Sequence, residues 1–275
     1  MPSAETVWQK LDNRRVIGYN NSMAQKKKAK RSSSACLWYK KSFGTLYPQI
    51  YSHRDEETAV TEIENLLGFL RIGAGALVLD VCCGGGRHLL PLRKKKLAAF
   101  GIDLSAPLLC EASEKPGLDG RLVMGDMRQL PFGGAFDLVV NLFSSFGYFE
   151  EENENEHALA EMVQALKPGG TLVMDHINAG LLEKTLVPES VGTFEYGIVK
   201  QRRKIVRGRV VKHIDVIHND GEQQHFIESI ALYTPDQLIT LCEAAGLSEP
   251  RFLGNFDGEP FAAESPRMIL VAERA

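Results

Sequence analysis

Between positions 76 and 176, five short apolar runs alternate with stretches of helical periodicity. Residues 76–81, 98–103, 122–125, 136–143 and 171–176 read as strands. Helices are expected over 87–96, 106–114 and 154–166, the last stopped by Lys167-Pro168-Gly169-Gly170. Strands that are apolar along their whole length must be covered on both faces, which a parallel sheet between two helical layers achieves. This alternation confines the chain to the α/β class.

The flanks differ. Residues 36–70 carry helical spacing, first through Trp38, Phe43, Leu46, Tyr47, Ile50 and Tyr51, then through Val60, Ile63, Leu66, Leu67 and Leu70. After about Glu189 the pattern turns to period two over 193–199, 209–217 and 224–233, with the hairpin signal Asn219-Asp220-Gly221 between the last two runs. A helix over 235–245 and strands over 248–253 and 267–272 close the chain. The expected organisation is a basic leader at 1–35, a helical lid at 36–70, and a domain at 71–275 carrying a small antiparallel β insertion at about 190–233.

Charge is uneven. Ten Lys and Arg stand against two acidic residues in 1–41, leaving 22 against 33 in the rest, within a net charge of -3. The acidic body argues against a large nucleic-acid footprint. The leader, with Lys26-Lys27-Lys28-Ala29-Lys30-Arg31, reads as a solvated tail or an extension upstream of Met23. No apolar run is long enough to span a membrane, no signal-peptide core is visible, and five cysteines lack scaffold spacing. The expectation is a cytoplasmic protein without a membrane partner.

The stretch Val78-Leu79-Asp80-Val81-Cys82-Cys83-Gly84-Gly85-Gly86-Arg87-His88 ends the first strand. Its glycines let backbone approach a ligand, and the following helix start offers free N–H groups. A phosphate loop needs Lys and Ser/Thr where Arg87 and His88 stand, and a dinucleotide loop needs a small residue where Leu89 stands. Adjacent cysteines on extended backbone point to opposite faces, and no second cluster has ligand spacing, so no metal site is expected and the pair reads as packing. More telling are Asp80, Asp103 and Asp126, one at the end of each of the first three strands. In open α/β sheets that is where ligands bind. An acid by the first strand suits a cationic amine, one by the second a ribose diol, and Asp126-Met127 an adenine.

Together these segments resemble class I S-adenosylmethionine-dependent methyltransferases. The glycine stretch is similar to their first motif, and Phe100-Gly101-Ile102-Asp103-Leu104-Ser105 to their second. Gly125-Asp126-Met127-Arg128-Gln129-Leu130-Pro131-Phe132 is similar to the third, and Leu166-Lys167-Pro168-Gly169-Gly170-Thr171-Leu172 to the turn before strand five. Trp38-Tyr39, the segment Tyr51 to Asp55, Asn141 to Phe149 and Ser265-Pro266-Arg267-Met268 resemble a bacterial subgroup of that family. Cys82 departs from it, standing where the family more often has glycine.

The resemblance implies a Rossmann-like, mostly parallel seven-stranded sheet with an antiparallel last strand, and S-adenosylmethionine as cofactor. It implies that Asp80, Cys82, Gly84 and Gly86 lie against the methionine moiety, Asp103 and Leu104 by the ribose, Asp126 and Met127 by adenine, and Asn141 at the end of strand four. Tyr51 and Arg54, with Tyr47, belong to a lid. The sulfonium is already electrophilic, so alignment and water exclusion matter most, and a base is needed only for an acceptor that must lose a proton. Candidate bases are His53, Tyr148 and His176. Asn141-Leu142-Phe143-Ser144 lacks the prolines of base-flipping amine methyltransferases, so a small-molecule acceptor is the expected reading. A nucleic-acid-directed methyltransferase, a nicotinamide-dependent oxidoreductase and a non-catalytic cofactor-binding module remain the alternatives.

Overall fold

The structure, a computed structural model, describes residues 37–51 and 56–275. The leader at 1–35 and the candidates His53 and Arg54 lie outside the described residues.

The strands β1 (Leu77–Val81), β2 (Ala98–Asp103), β3 (Leu122–Met124), β4 (Phe136–Asn141) and β5 (Leu166–His176) form the parallel part of the main sheet. Four strands, β6 (Glu189–Phe194), β7 (Gly197–Val206), β8 (Arg209–His218) and β9 (Gln223–Ala231), form a separate antiparallel sheet. The chain then completes the main sheet with β10 (Leu247–Leu253) and β11 (Met268–Arg274), β11 running antiparallel to both neighbours. The order β10-β11-β5-β4-β1-β2-β3 makes seven strands and reverses direction between β1 and β4. At such a switch point the two loops leaving the strands diverge and open a crevice above the carboxyl ends.

Both faces are covered, as apolar strands require. The helices α1 (Tyr39–Ser42), α2 (Tyr47–Ile50), α3 (Glu56–Phe69), α4 (Leu89–Lys94), α5 (Ala106–Ser113), α6 (Glu152–Ala165), α7 (Ala179–Thr185) and α8 (Pro235–Ala245) follow in chain order. On one face, Leu79, Val81, Phe100 and Val139 pack with Leu159 and Met162 of α6 and Leu238 and Cys242 of α8. On the other, Val78, Ala99, Leu138 and Val140 pack with Ile63 and Leu66 of α3, Leu92 of α4 and Leu109 of α5. Thr234 caps α8 through its hydroxyl while Gln237 returns the bond to the Thr234 N–H, and Gly246 ends the helix at φ 86°.

Three expectations shift. The periodic run over 37–51 folds as two single turns, α1 and α2, because Gly44 and Pro48 interrupt it. The run over 193–199 is not one strand: the turn at Glu195-Tyr196 splits it between β6 and β7. Gly197 follows that turn because a Cβ there would come within 2.9 Å of His218 Cα, backbone that cannot yield. The polar strand β7 carries Lys200, Arg202 and Lys204 on its exposed face, so its period-two signal is one of charge and not of hydropathy. Lys167-Pro168-Gly169-Gly170 lies within β5 as a bulge: Leu166 pairs with Phe136 and Thr171 with Leu138. Among the described residues no helix is long and apolar enough to cross a membrane.

Candidate functional site

The glycine loop leaves β1 through Cys82, whose φ of 64° is left-handed. That conformation costs a non-glycine residue about 1–2 kcal/mol, which is the physical reason glycine suits the position better. The Cys82 and Cys83 amides both donate to Ile102 O, at 2.8 and 3.1 Å. Gly84 and Gly86 follow at φ 53° and 74°, and a Cβ on Gly86 would come within 2.8 Å of Leu118. The loop is therefore folded back over β2. Asp103 fixes it there: Oδ2 accepts from Gly84 N at 2.8 Å and Oδ1 from Ser105 N at 2.7 Å. Burial raises the Asp103 pKa, and these amides oppose the rise. Neither cysteine reads as chemistry. Burial pushes both thiols well up, Cys83 packs into the core, and Cys82 Sγ donates to Met127 Sδ at 3.7 Å.

Asp80 sits at the reversal of strand order and is 2% exposed. Among the described residues its Oδ2 has no hydrogen-bond partner, and neither has Oδ1 of the fully buried Asn141 on the neighbouring strand. Asn141 is oriented by its Nδ2, which donates to Val81 O at 3.0 Å. Burial first, then the charge of Asp103, pushes the Asp80 pKa up to about 8, with Arg87 opposing. A buried acceptor left unpaired costs about 1–3 kcal/mol. The pleat points the two acceptors to opposite faces, Asp80 with Val78 and Val140 and Asn141 with Val139, and Asp80 by itself suits a donor that carries positive charge.

Asp126 lies beyond β3 on the same rim. Burial would raise its pKa, but the hydrogen bonds and charge of Arg128 outweigh that and hold it low. Oδ1 accepts from Arg128 N and Nε, both at 3.0 Å, and Oδ2 from Nη2 at 2.6 Å. Arg128 continues to Glu154 on α6 at 2.5 Å and lies 4.3 Å above the Phe149 ring. Met127 is buried, whereas Leu104 beside Asp103 is 39% exposed, an apolar side chain left open at the rim.

The segment carrying α1 and α2 lies across these loops. Ser105 Oγ donates to Phe43 O at 2.6 Å, Trp38 Nε1 to Tyr148 O at 3.3 Å, and Ser42 Oγ to Ile227 O at 2.7 Å. Tyr51 donates to Glu228 of β9 at 2.6 Å, and Lys212 of β8 contacts both. Tyr148 stacks on Phe43 with 5.6 Å between centroids. The segment thus touches the loops after β2 and β4 and the second sheet together.

Of the three candidate bases, Tyr148 and His176 lie among the described residues. Burial raises the Tyr148 pKa well above its ordinary 10, with Tyr47 and Cys82 adding to it, so the hydroxyl stays neutral. His176, fully buried at the end of β5, bonds Ala231 O through Nε2 at 3.0 Å, and burial lowers its pKa to about 4. Its ring packs against Tyr233, a structural role.

Sequence reasoning missed the support behind the β4 exit. Phe143 and Ser144 are consecutive left-handed residues, at φ 62° and 56°. Fully buried Asp175 holds them: Oδ2 accepts from Phe143 N at 2.9 Å, and its carbonyl accepts from Ser144 N at 2.9 Å. Arg267 grips Asp175 at 2.7 and 2.5 Å and Ser144 Oγ at 3.1 Å. The Phe143 ring lies between the guanidiniums of Arg87 and Arg267, at 4.1 and 5.7 Å. No spacing rule links position 267 to position 175; the antiparallel pairing of β11 with β5 brings them together.

Comparison with known proteins decides the family. A methyltransferase-domain model matches residues 78–170. The chain is 31% identical over 206 residues to the dTDP-3-amino-3,6-dideoxy-alpha-D-glucopyranose N,N-dimethyltransferase of Streptomyces fradiae, covering 70% of this chain and 80% of that protein. This chain belongs to the class I S-adenosylmethionine-dependent methyltransferases. The cypemycin N-terminal methyltransferase of a Streptomyces species is 26% identical over 246 residues, 82% of this chain and 98% of its own. In fold, the methyltransferase matches a SAM-bound amino pentose methyltransferase from Micromonospora echinaspora with a TM-score of 0.64 at 23% identity, over 84% of this chain and 97% of that one. Its cofactor is S-adenosylmethionine, and the unpaired acceptor of Asp80 fits a group carrying an ammonium.

Proposed function

We propose that this methyltransferase methylates the nitrogen of a small-molecule amine, an aminosugar nucleotide being the first acceptor to test. S-adenosylmethionine supplies a methyl group on a sulfonium whose sulfur keeps the bonding electrons as the methyl leaves. Asp80 Oδ2, buried and unpartnered among the described residues, receives the cofactor's amino group, and the neutral, buried state of Tyr148 and His176 is the observation that carries the amine reading. Backbone at Cys82, Gly84 and Gly86 lies along the methionine moiety. Asp103, which accepts one bond at each oxygen, keeps lone pairs for the ribose hydroxyls, with Leu104 beside them. Asp126 Oδ2 accepts only from Arg128 and keeps a lone pair for the adenine amino group over Met127.

The acceptor approaches on the side of Tyr148, whose ring Phe43 and Trp38 of the overlying segment pack against. Tyr148 remains a neutral phenol that orients the acceptor, since burial opposes its ionisation. With His176 near 4 as well, neither described candidate is poised to strip a proton from a hydroxyl. An amine presents its lone pair without prior deprotonation and releases its proton after the methyl has moved. Two relatives whose names specify nitrogen acceptors support the same choice.

The test is incubation with S-adenosylmethionine and dTDP-3-amino-3,6-dideoxyglucose, read by mass spectrometry. One or two added methyl groups on the amine are expected. Methylation confined to hydroxyl acceptors across a matched panel would overturn the reading.

A further inference from the structure

The loop leaving β4 is gripped twice from outside: its first half by Asp175 and Arg267, and its second half by Arg209, the first residue of β8. Arg209 Nη1 donates to Phe149 O at 2.8 Å, and Nη2 to Gly147 O and Tyr148 O at 2.9 and 3.1 Å. The same guanidinium holds Ser229 of β9, through Nε to Oγ at 2.9 Å and Nη2 to the carbonyl at 2.8 Å. Among the described residues it makes no ion pair with a carboxylate. A half-buried guanidinium usually finds an acid; this one is spent on three consecutive carbonyls of another element. Only a planar fork reads such a row at fixed geometry, because an ammonium has three donors and no plane.

The grip is tight elsewhere too. Ala231 N donates to Gly147 O at 2.8 Å, and Gly147, at φ 88°, approaches Ala231 so closely that a Cβ would stand 3.2 Å from it. The Tyr148 carbonyl also accepts from Trp38, whose ring meets Tyr148 edge-on at 4.9 Å. One carbonyl is therefore shared by the second sheet and the segment over the site.

We propose that Arg209 is a positioning residue of the methyl-transfer site. It fixes the backbone of 147–149, and through it the direction of the Tyr148 ring and the seat of Trp38. The second sheet thereby becomes part of the site's scaffold. The proposal rests on the reading that Tyr148 lines the acceptor side.

The chain contains two tryptophans, so Trp8→Phe leaves Trp38 as the sole reporter in the full-length protein. Arg209→Met and Arg209→Lys are compared with Val216→Ala, which loosens the buried core of the same sheet, including its packing on Leu46 and Ile50 of the Trp38 segment, while leaving the bonds to the loop intact. Acrylamide quenching of Trp38 is measured well below each melting temperature. The expected result is several-fold greater quenching in Arg209→Met, an intermediate value in Arg209→Lys, and the parent value in Val216→Ala. With dTDP-3-amino-3,6-dideoxyglucose as acceptor, Arg209→Met lowers kcat by on the order of tenfold to a hundredfold, with S-adenosylhomocysteine affinity changed far less. Parent-like quenching in Arg209→Met, or an equal rise in Val216→Ala, overturns the proposal. Turnover failing in the parent itself refutes the acceptor reading, and the quenching series still decides the role of Arg209.

Discussion

With Asp80 as the proposed seat of the cofactor's amino group, cofactor binding is a proton-linked event. The Asp80 pKa of about 8, against 3.8 for a free carboxyl, leaves the side chain roughly nine-tenths protonated at pH 7 in the ligand-free protein. An ammonium placed against Oδ2 favours the ionised form and expels that proton. Calorimetric titration with S-adenosylhomocysteine, repeated in buffers of different ionisation enthalpy, therefore reads release of about 0.9 proton at pH 7, falling to about 0.1 at pH 9. Affinity climbs by up to tenfold per pH unit below about 8 and levels above it. Asp80→Asn is near-isosteric and cannot titrate, so it removes this release and leaves only the ligand's own titration. The same shift acts on stability. An acid whose folded pKa exceeds its unfolded value favours the fold at low pH. That advantage is lost as pH rises from 3.8 through about 8, a span worth up to about 6 kcal/mol. Asp80→Asn should accordingly gain stability over the parent at pH 9 and much less at pH 4. Equal proton release by parent and Asp80→Asn at pH 7 would refute the reasoning.

The strained and crowded positions give further tests. Ser144→Gly relieves a left-handed penalty of about 1 kcal/mol but deletes the hydroxyl that accepts from Arg267, worth about 1.5–3 kcal/mol, so the melting temperature falls by a few degrees, read by calorimetry. Arg267→Met leaves Asp175 buried without its cation and costs about 3–5 kcal/mol in denaturant unfolding. Cys82→Gly relieves the same kind of backbone cost as Ser144→Gly and should hold S-adenosylhomocysteine at least as tightly as Cys82→Ala, by calorimetric titration. Gly101→Ala puts a Cβ 2.6 Å from both Cys83 Sγ and Leu89 Cδ1, and the overpacking costs about 1–3 kcal/mol, read as a lower urea midpoint.

What the sequence disclosed follows from how locally each feature is encoded. The strands β1, β2 and β4 were legible because uninterrupted apolar runs have one environment, the centre of a covered sheet. Asp80, Asp103 and Asp126 were legible because a strand end followed by a turn fixes an acid in space within a few residues. The turn at Glu195-Tyr196 was hidden because neither residue is a turn former. The polar strand β7 was hidden because its exposed positions are charged. The buried ties were the least visible: Asp175 to Arg267 spans 92 residues, and Arg209 to Phe149 spans 60. Each depends on strand pairing that no local pattern announces. The electrostatic state of the site was equally hidden. Tyr148 and His176 carry groups able to move protons, but burial moves both pKa values away from that task.

The crevice between β1 and β4 is proposed to seat the cofactor by its amino group. A crystal structure of the protein with S-adenosylhomocysteine tests it directly. The expected result is the amino nitrogen within hydrogen-bond distance of Asp80 Oδ2, with the ribose hydroxyls on Asp103. An amino group seated elsewhere, with Asp80 Oδ2 still unpartnered, is the result that overturns it.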